Sequence, residues 1–169
     1  KESSAASDVY KRQDIPLLQC EKTEIWARPV SPYASNGVGM LFLPEVDDEV
    51  VLQFINEDPC HPVIIGSLYS RKRKTPVSLD PKNNLKTIVT KNQLKITLDD
   101  DKKIITIGTP GENTLILDDD KKQILLSDAN KNKVCMDKNG IMVESGKDLI
   151  FKARGNVKTE GMGIESKSK

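Results

Sequence analysis

The hexapeptide Leu-Asp-Asp-Asp-Lys-Lys stands at Leu98–Lys103 and again, unchanged, at Leu117–Lys122, nineteen residues on. A fixed short period constrains a fold strongly, because equal stretches of chain build equal units of structure. The sequence around the repeat says what that unit is. Short apolar or alternating runs follow one another at Leu94–Leu98, Ile104–Ile107, Leu115–Leu117, Ile124–Leu126, Val134–Met136, Ile141–Val143, Leu149–Phe151 and, more weakly, Val157 and Met162–Ile164. Polar turns separate them, so the chain reverses about every nine or ten residues. Nineteen residues are then one strand, turn, strand, turn cycle. Asp99, Asp118 and Asp137 mark the same corner in successive layers, and the third copy has become Asp137-Lys-Asn-Gly140, a tight-turn sequence.

Three consecutive aspartates also invite a calcium reading. An EF-hand loop needs alternating ligands, a central glycine and a glutamate at about its twelfth position. Asp99–Asp101 is followed by two lysines and has neither of the other features. Aspartate favours corners because its carboxylate bonds nearby backbone, and that role is expected here, with no metal site.

The alternation Leu94-Lys-Ile-Thr-Leu98 gives a ribbon with one apolar and one polar face. A lone ribbon with one wet face is marginal. Three ribbons around a common axis would bury their apolar faces together and remove exposed strand edges. The pattern therefore predicts an intertwined oligomer for 85–169, although a single-chain sandwich also accommodates arrays of hairpins.

Residues 14–70 read differently. Strand-like runs at Glu24–Val30, Met40–Leu43, Glu49–Ile55 and Val63–Tyr69 are separated by Pro32, Asn36-Gly37, Pro44, Asp47-Asp48, Asp58-Pro59 and Pro62. Four short strands at this spacing predict a small barrel. Residues 71–84, with four consecutive basic residues, two prolines and Asn-Asn, read as a linker. Residues 1–13 show no strand or helix period. Ser4–Gln13 resembles translated sequencing-adapter sequence, so 1–13 is expected to be non-native or disordered and the barrel to lack its first strand.

Composition excludes several classes. The formal charge of +1, from 26 basic and 25 acidic residues, gives no global field toward nucleic acid or membrane. No run approaches the ~18 apolar residues of a membrane helix. Cys20, Cys60 and Cys135 are odd in number and lack a Cys-x-x-Cys, so free thiols are expected.

The stretches Trp26-Ala-Arg-Pro-Val-Ser-Pro-Tyr-Ala-Ser-Asn-Gly-Val-Gly-Met40, Phe42-Leu-Pro-Glu-Val-Asp-Asp-Glu-Val-Val-Leu52, Asp58-Pro59 and Pro62-Val-Ile-Ile-Gly-Ser-Leu-Tyr69 span about forty-five residues. They resemble the OB-fold domain of the VgrG and phage-baseplate spike family. The match falls on Trp26, Ala27, Arg28, Gly37, Gly39, Pro44, Asp48, Glu49, Val50, Asp58, Pro59, Pro62, Gly66 and Tyr69, expected as structural positions. Three departures are visible: little chain precedes Trp26 where the family has a strand, Glu57 replaces a turn glycine, and Cys60-His61 replaces an Asp-Arg.

The resemblance implies an all-β protein, an OB barrel followed by a trimeric β-helix or β-prism needle. Leu94, Ile96, Leu98, Ile105, Ile107, Leu115, Leu117, Leu126 and Val143 are expected inside that needle. It further implies a non-enzymatic homotrimeric spike of a type VI secretion system or phage tail, without cofactor. The partners implied are an Hcp-like tube protein docked through an upstream hub domain, and a PAAR-like tip protein or effector. Nucleic acid is not among them, and a target membrane is met only by mechanical puncture. The protein would reside in the bacterial cytoplasm before firing and then be injected, or in a virion tail.

Two other classes compete. An OB protein binding single-stranded nucleic acid would use Arg71–Lys74, with Trp26 and Tyr33 as stacking platforms. A carbohydrate-active β-solenoid would need a cleft lined by carboxylates, but the acids here sit in turns beside lysines. Cys60-His61, the only Cys-His pair, lies in a proline-bounded turn where adjacent side chains rarely meet, and a catalytic role is not expected. Cys135 is expected to pack as a small hydrophobe and Trp26 to anchor a core or interface.

Overall fold

The computed structural model describes residues 11–14 and 24–167 and divides the chain into two compact units, Lys1–Thr75 and Pro76–Lys169. Both are β. In the first unit, β1 (Lys11–Asp14), β2 (Glu24–Pro29), β5 (Val50–Phe54) and β6 (Pro62–Ser67) form a sheet in the order β1-β2-β6-β5, while β3 (Ala34–Ser35) and β4 (Val38–Gly39) make a small hairpin. β1 and β2 run antiparallel, β2 and β6 parallel, and β5 and β6 antiparallel with an irregularity at Val51/Leu52. The core of the unit is small: Ala27 (0% exposed) and Ile64 (2%) are buried, as is Pro62.

Turn chemistry sets these strands. Asn36-Gly37 closes the β3–β4 hairpin, with positive φ (+71°) at Gly37 alone, the second central residue, where glycine takes it at no steric cost. Gly39, at φ +147°, lies so close to the backbone of Tyr33 that a Cβ would stand 2.5 Å from the Tyr33 carbonyl oxygen. The Asp48 carboxylate accepts the Glu45 N–H at 2.9 Å, closing the corner before β5.

Two sequence expectations are corrected in this unit. Met40–Leu43 is not a strand; its side chains are exposed, and the β3–β4 pairing ends at Gly39. Lys11–Gln13, expected outside the fold, pairs with Ile25–Ala27 as an edge strand. Its polar side chains carried no strand signal because an edge needs backbone partners more than apolar residues. Residues 1–10 and Cys20 lie outside the described residues.

The second unit is one antiparallel meander. Its strands are β7 (Leu85–Val89), β8 (Lys95–Asp99), β9 (Ile104–Gly108), β10 (Thr114–Asp118), β11 (Gln123–Ser127), β12 (Lys133–Asp137) and β13 (Gly140–Glu144), paired strictly in sequence order. The nineteen-residue period is written into its corners. On one side, Asp99 Oδ1 accepts the Lys102 N–H at 3.0 Å and Asp118 Oδ1 accepts the Lys121 N–H at 2.9 Å, with Lys103 and Lys122 both at φ +53°. On the other side, Thr90, Thr109 and Asp128 each donate a backbone N–H to the carbonyl four residues on. The residues before those carbonyls, Gln93, Glu112 and Lys131, all take positive φ. The third aspartate corner is shorter: Asp137 pairs directly with Gly140, and its carboxylate accepts the Asn139 N–H at 2.7 Å.

The expected runs at Leu149–Phe151, Val157 and Met162–Ile164 form no strand; described strand pairing ends at Glu144. Among the described residues no helix is long and apolar enough to cross a membrane.

Candidate functional site

Successive residues of a strand point to opposite faces, and residues opposed across a ladder share one. The registers of β7 to β13 therefore sort the side chains without ambiguity. One row runs Ile88, Ile96, Ile107, Leu115, Leu126, Val134, Val143; the next runs Lys86, Leu98, Ile105, Leu117, Ile124, Met136, Ile141. Both rows lie on one face, and every member but Lys86 is apolar. The Lys86 amine leaves the row to meet the Asp100 carboxylate and the Asn83 carbonyl at the edge.

Nothing in the described chain covers this face. Ile96, Leu98, Ile105 and Ile107 are each about two-fifths exposed, Leu126 is 53% exposed and Ile141 71%. Exposed apolar surface arranged as continuous rows is the mark of an interaction surface. The opposite face has a different central row: Thr87, Thr97 and Thr106 in the first three strands, then Ile116, Leu125, Cys135 and Met142. It is flanked by polar pairs, among them Thr114–Ser127 at 2.7 Å and Lys133–Glu144 at 2.7 Å.

Eight of the nine residues expected inside the needle share the uncovered face. Leu94 does not belong to the rows; it precedes β8 in a corner where its carbonyl accepts the Thr90 N–H at 2.9 Å. The expectation omitted Ile88, Ile124, Val134, Met136 and Ile141; two-residue spacing within the runs pointed to the last four, while Ile88 shares its face with Lys86 in a stretch that was not among the runs.

The aspartate corners are electrostatically closed. The Lys121 backbone N–H, helped by the Lys121 ammonium, holds the Asp118 carboxyl below the ordinary aspartate value. Asn132, through side chain and backbone, does the same for Asp128. These carboxylates are spent on backbone donors and lysines, and among the described residues no cluster of three metal-ligating side chains forms.

In the first unit the motif residues are divided between interior, turn and surface. Ala27 is buried, Val50 opens β5, Gly66 opposes Val51, and the Glu49 carbonyl accepts the Leu68 N–H at 2.8 Å. Pro62 is buried, while Arg28, Pro59 and Tyr69 are exposed and Pro44 is partly covered. Trp26 is not core: its side chain is 57% exposed and lines an open cleft of about 500 Å³ with Arg12 and Glu24, which pair at 3.3 Å.

Asp58 organises the proline-bounded turn. Its carboxylate accepts the Cys60 N–H at 2.8 Å and meets His61 Nδ1 at 2.9 Å, and these contacts, the Cys60 N–H foremost, hold its pKa down. The sequence had offered no acid partner for His61. The pair is solvent-exposed and staples a turn whose His61 carbonyl accepts the Ile55 N–H at 3.1 Å. In the basic run, Arg73 lies 3.5 Å from the Asp48 carboxylate and its carbonyl accepts the Ser70 N–H, so this part of Arg71–Lys74 is folded onto the first unit.

Two β units, one small and sheet-based and one presenting a continuous uncovered apolar face, define a protein built to associate. Residues 12–69 match the Type VI secretion system/phage-baseplate injector OB domain, and residues 104–164 match the phage baseplate V C-terminal trimerisation domain. The chain belongs to the VgrG and phage-baseplate spike family. Similar curated proteins include the "Type VI secretion system spike protein VgrG3" of Vibrio cholerae, 33% identical over 69 residues covering 41% of this chain and 7% of the relative. The "Actin cross-linking toxin VgrG1" of the same species is 30% identical over 69 residues, 41% of this chain and 6% of the relative. The "Type VI secretion system spike protein VgrG4b" of Pseudomonas aeruginosa is 32% identical over 68 residues, 40% of this chain and 8% of the relative. The match spans less than a tenth of the length of these relatives.

Proposed function

We propose that this chain is the trimerising part of an injector spike, acting mechanically and without catalysis. The observation that carries the reading is the uncovered face of β7–β13, two apolar rows seven strands long, in a segment whose family is defined by trimerisation. Three such faces turned toward a common axis leave the charged corners in water. Most side chains on the seam are already partly buried in the single chain, so association removes the remainder. Burying a side chain of this kind fully is worth about 1.5–3 kcal/mol.

Mechanical function follows from the same geometry. Within each chain the layers are joined by continuous ladders of backbone hydrogen bonds, and a packed seam resists bending because interiors are close-packed. Such a shaft can transmit axial force. An Hcp-like tube protein, docked through a hub, and a PAAR-like tip or an effector are the partners a spike of this family would carry. Injection from the bacterial cytoplasm, or delivery on a virion tail, is the corresponding setting. The domain limits proposed with this reading are a barrel through residue 70 that takes in β1 from Lys11, a linker at 71–84 whose Arg73 lies against the first unit, and a needle at 85–169.

The test is the solution mass of the chain by light scattering after gel filtration. Three times the 18.8 kDa chain mass, persisting on dilution, is the expected result. A folded monomer overturns the trimeric spike.

A further inference from the structure

Two asparagines in this chain are followed by glycine, Asn36 and Asn139, and both stand in exposed hairpin corners. The dipeptide is chemically distinctive. A backbone nitrogen can attack the side-chain amide of the residue before it, and glycine, with no Cβ, leaves that approach open. The two corners differ in what the glycine nitrogen is already doing.

In the β12–β13 corner the glycine begins a strand. Gly140 pairs with Asp137 as the first rung of a five-rung ladder, inside a seven-stranded sheet. The Asn139 N–H donates to the Asp137 carboxylate at 2.7 Å, which fixes the asparagine from the other side. Attack there requires the end of the sheet to come apart.

In the β3–β4 corner both residues are central to the turn, between Ser35 and Val38. Among the described residues no hydrogen bond uses the Gly37 N–H or the Asn36 side chain. A Cβ built on Gly37 meets nothing within 4 Å, so the space about this residue is open. The hairpin has only two rungs, Ala34 with Gly39 and Ser35 with Val38, and so short a ribbon opens easily.

We propose that Asn36 is a site of spontaneous covalent modification, with water as co-reactant, and that Asn139 is its protected counterpart. The Gly37 nitrogen bonds to Asn36 Cγ and gives its proton to water. The Cγ–Nδ2 bond breaks and ammonia leaves, closing a cyclic imide. Water then adds to one of the two imide carbonyls. Opening at one leaves aspartate; opening at the other leaves isoaspartate, whose main chain runs through Cβ and Cγ. Either product adds a negative charge, taking the formal charge of the chain from +1 to zero. Isoaspartate also lengthens the backbone of the turn by one carbon, and a two-rung hairpin has no further pairing to hold its register against that change. The damage stops at the hairpin base, where the Met40 N–H donates to the Tyr33 carbonyl at 2.8 Å. The sheet β1-β2-β6-β5 has no rung in this hairpin and is left intact. None of this depends on the trimeric reading.

The experiment holds the full chain at mildly alkaline pH and physiological temperature. Peptide mapping by mass spectrometry, with enzymatic methylation as the probe for isoaspartate, follows both sites. A sample unfolded in urea is the reference. In the folded chain Asn36 is expected to convert about tenfold or more faster than Asn139, and in urea the two rates are expected to converge. Equal rates in the folded chain, or Asn139 ahead, overturn the inference. So does a difference that persists in urea, since the neighbouring sequence and not the hydrogen bonding would then set it. Asn36→Gln, whose attack would need a larger ring, is expected to abolish the isoaspartate signal in that peptide and to keep the unfolding temperature; a signal that survives places the chemistry elsewhere. In the aged wild type, hydrogen–deuterium exchange is expected to rise at residues 34–39 and to stay unchanged in β5 and β6. Unchanged exchange at 34–39 in the isoaspartate fraction contradicts the opening of the hairpin.

Discussion

Leu125 and Leu126 are neighbours in β11 on opposite faces, and truncating each to alanine isolates the seam. Leu126 opposes Leu115 and Val134 on the uncovered face; Leu125 opposes Ile116 and Cys135 on the other. Leu126 is 53% exposed in the single chain, so about half of its burial remains for partners to complete. With about 1.5–3 kcal/mol for burying a leucine fully, that half is about 1 kcal/mol per chain and roughly 3 kcal/mol per trimer. A difference of that size is about 100-fold in the trimer association constant. Sedimentation velocity over a dilution series measures it. Leu126→Ala is expected to shift the monomer–trimer midpoint accordingly, whereas Leu125→Ala lowers the unfolding temperature of the sheet and leaves association within about tenfold. Equal effects of the two variants on association would refute the assignment of faces, and so would no effect of Leu126→Ala.

Three further outcomes follow. Asp118 has a folded pKa depressed below 3.8, so its stabilising contribution is complete above that value and is lost as pH falls through the lower folded value. The unfolding temperature should therefore drop more steeply below pH 4 in the wild type than in Asp118→Asn, and superimposable pH profiles would contradict this. Gly39→Ala forces a left-handed φ and a 2.5 Å approach to the Tyr33 carbonyl, which should cost the first unit about 1–3 kcal/mol in urea denaturation; Gly66→Ala, with open space around it, should cost far less. Cys60 is exposed and Cys135 buried, so a thiol reagent should label Cys60 before Cys135, and equal rates for the two by peptide mapping would be inconsistent with the packing of β12.

Much of the second unit was legible because its information is periodic. Asp99 and Asp118 announced their corners, and two-residue spacing assigned the faces of β8 to β11 before any coordinate. The first unit was harder. Met40–Leu43 has the composition of a strand, but composition does not say whether a backbone partner exists, and here Pro44 and the Glu45–Asp48 corner follow at once. Lys11–Gln13 has the opposite character: a partner without the composition. The Asp58–His61 pair was hidden because its i,i+3 spacing signals proximity only once the local backbone is known, and here a proline-bounded turn, not a helix, supplies it. Trp26 illustrates a further limit. Its size argued for a core or an interface anchor; β2 places Ala27 inward, and alternation then puts Trp26 on the open side, outside the core. Leu149–Phe151 looked like a strand and is unpaired, since a pattern specifies a face to be covered without naming the chain that covers it.

The Asp137–Gly140 corner has two residues between its paired ends where the Asp99 and Asp118 corners have four. A change of one would have turned β13 over and put Met142 on the seam; a change of two leaves Ile141 and Val143 in their rows. The meander therefore obeys an arithmetic of parity. Corners can gain or lose residues in pairs without disturbing the seam, and a whole nineteen-residue period can be added or removed as a cassette of two strands. At the ~4.8 Å spacing of neighbouring strands, each cassette changes reach by about 9.6 Å. Length in such a meander comes in discrete steps, and one gene segment duplicated in frame would lengthen it without redesign of any contact.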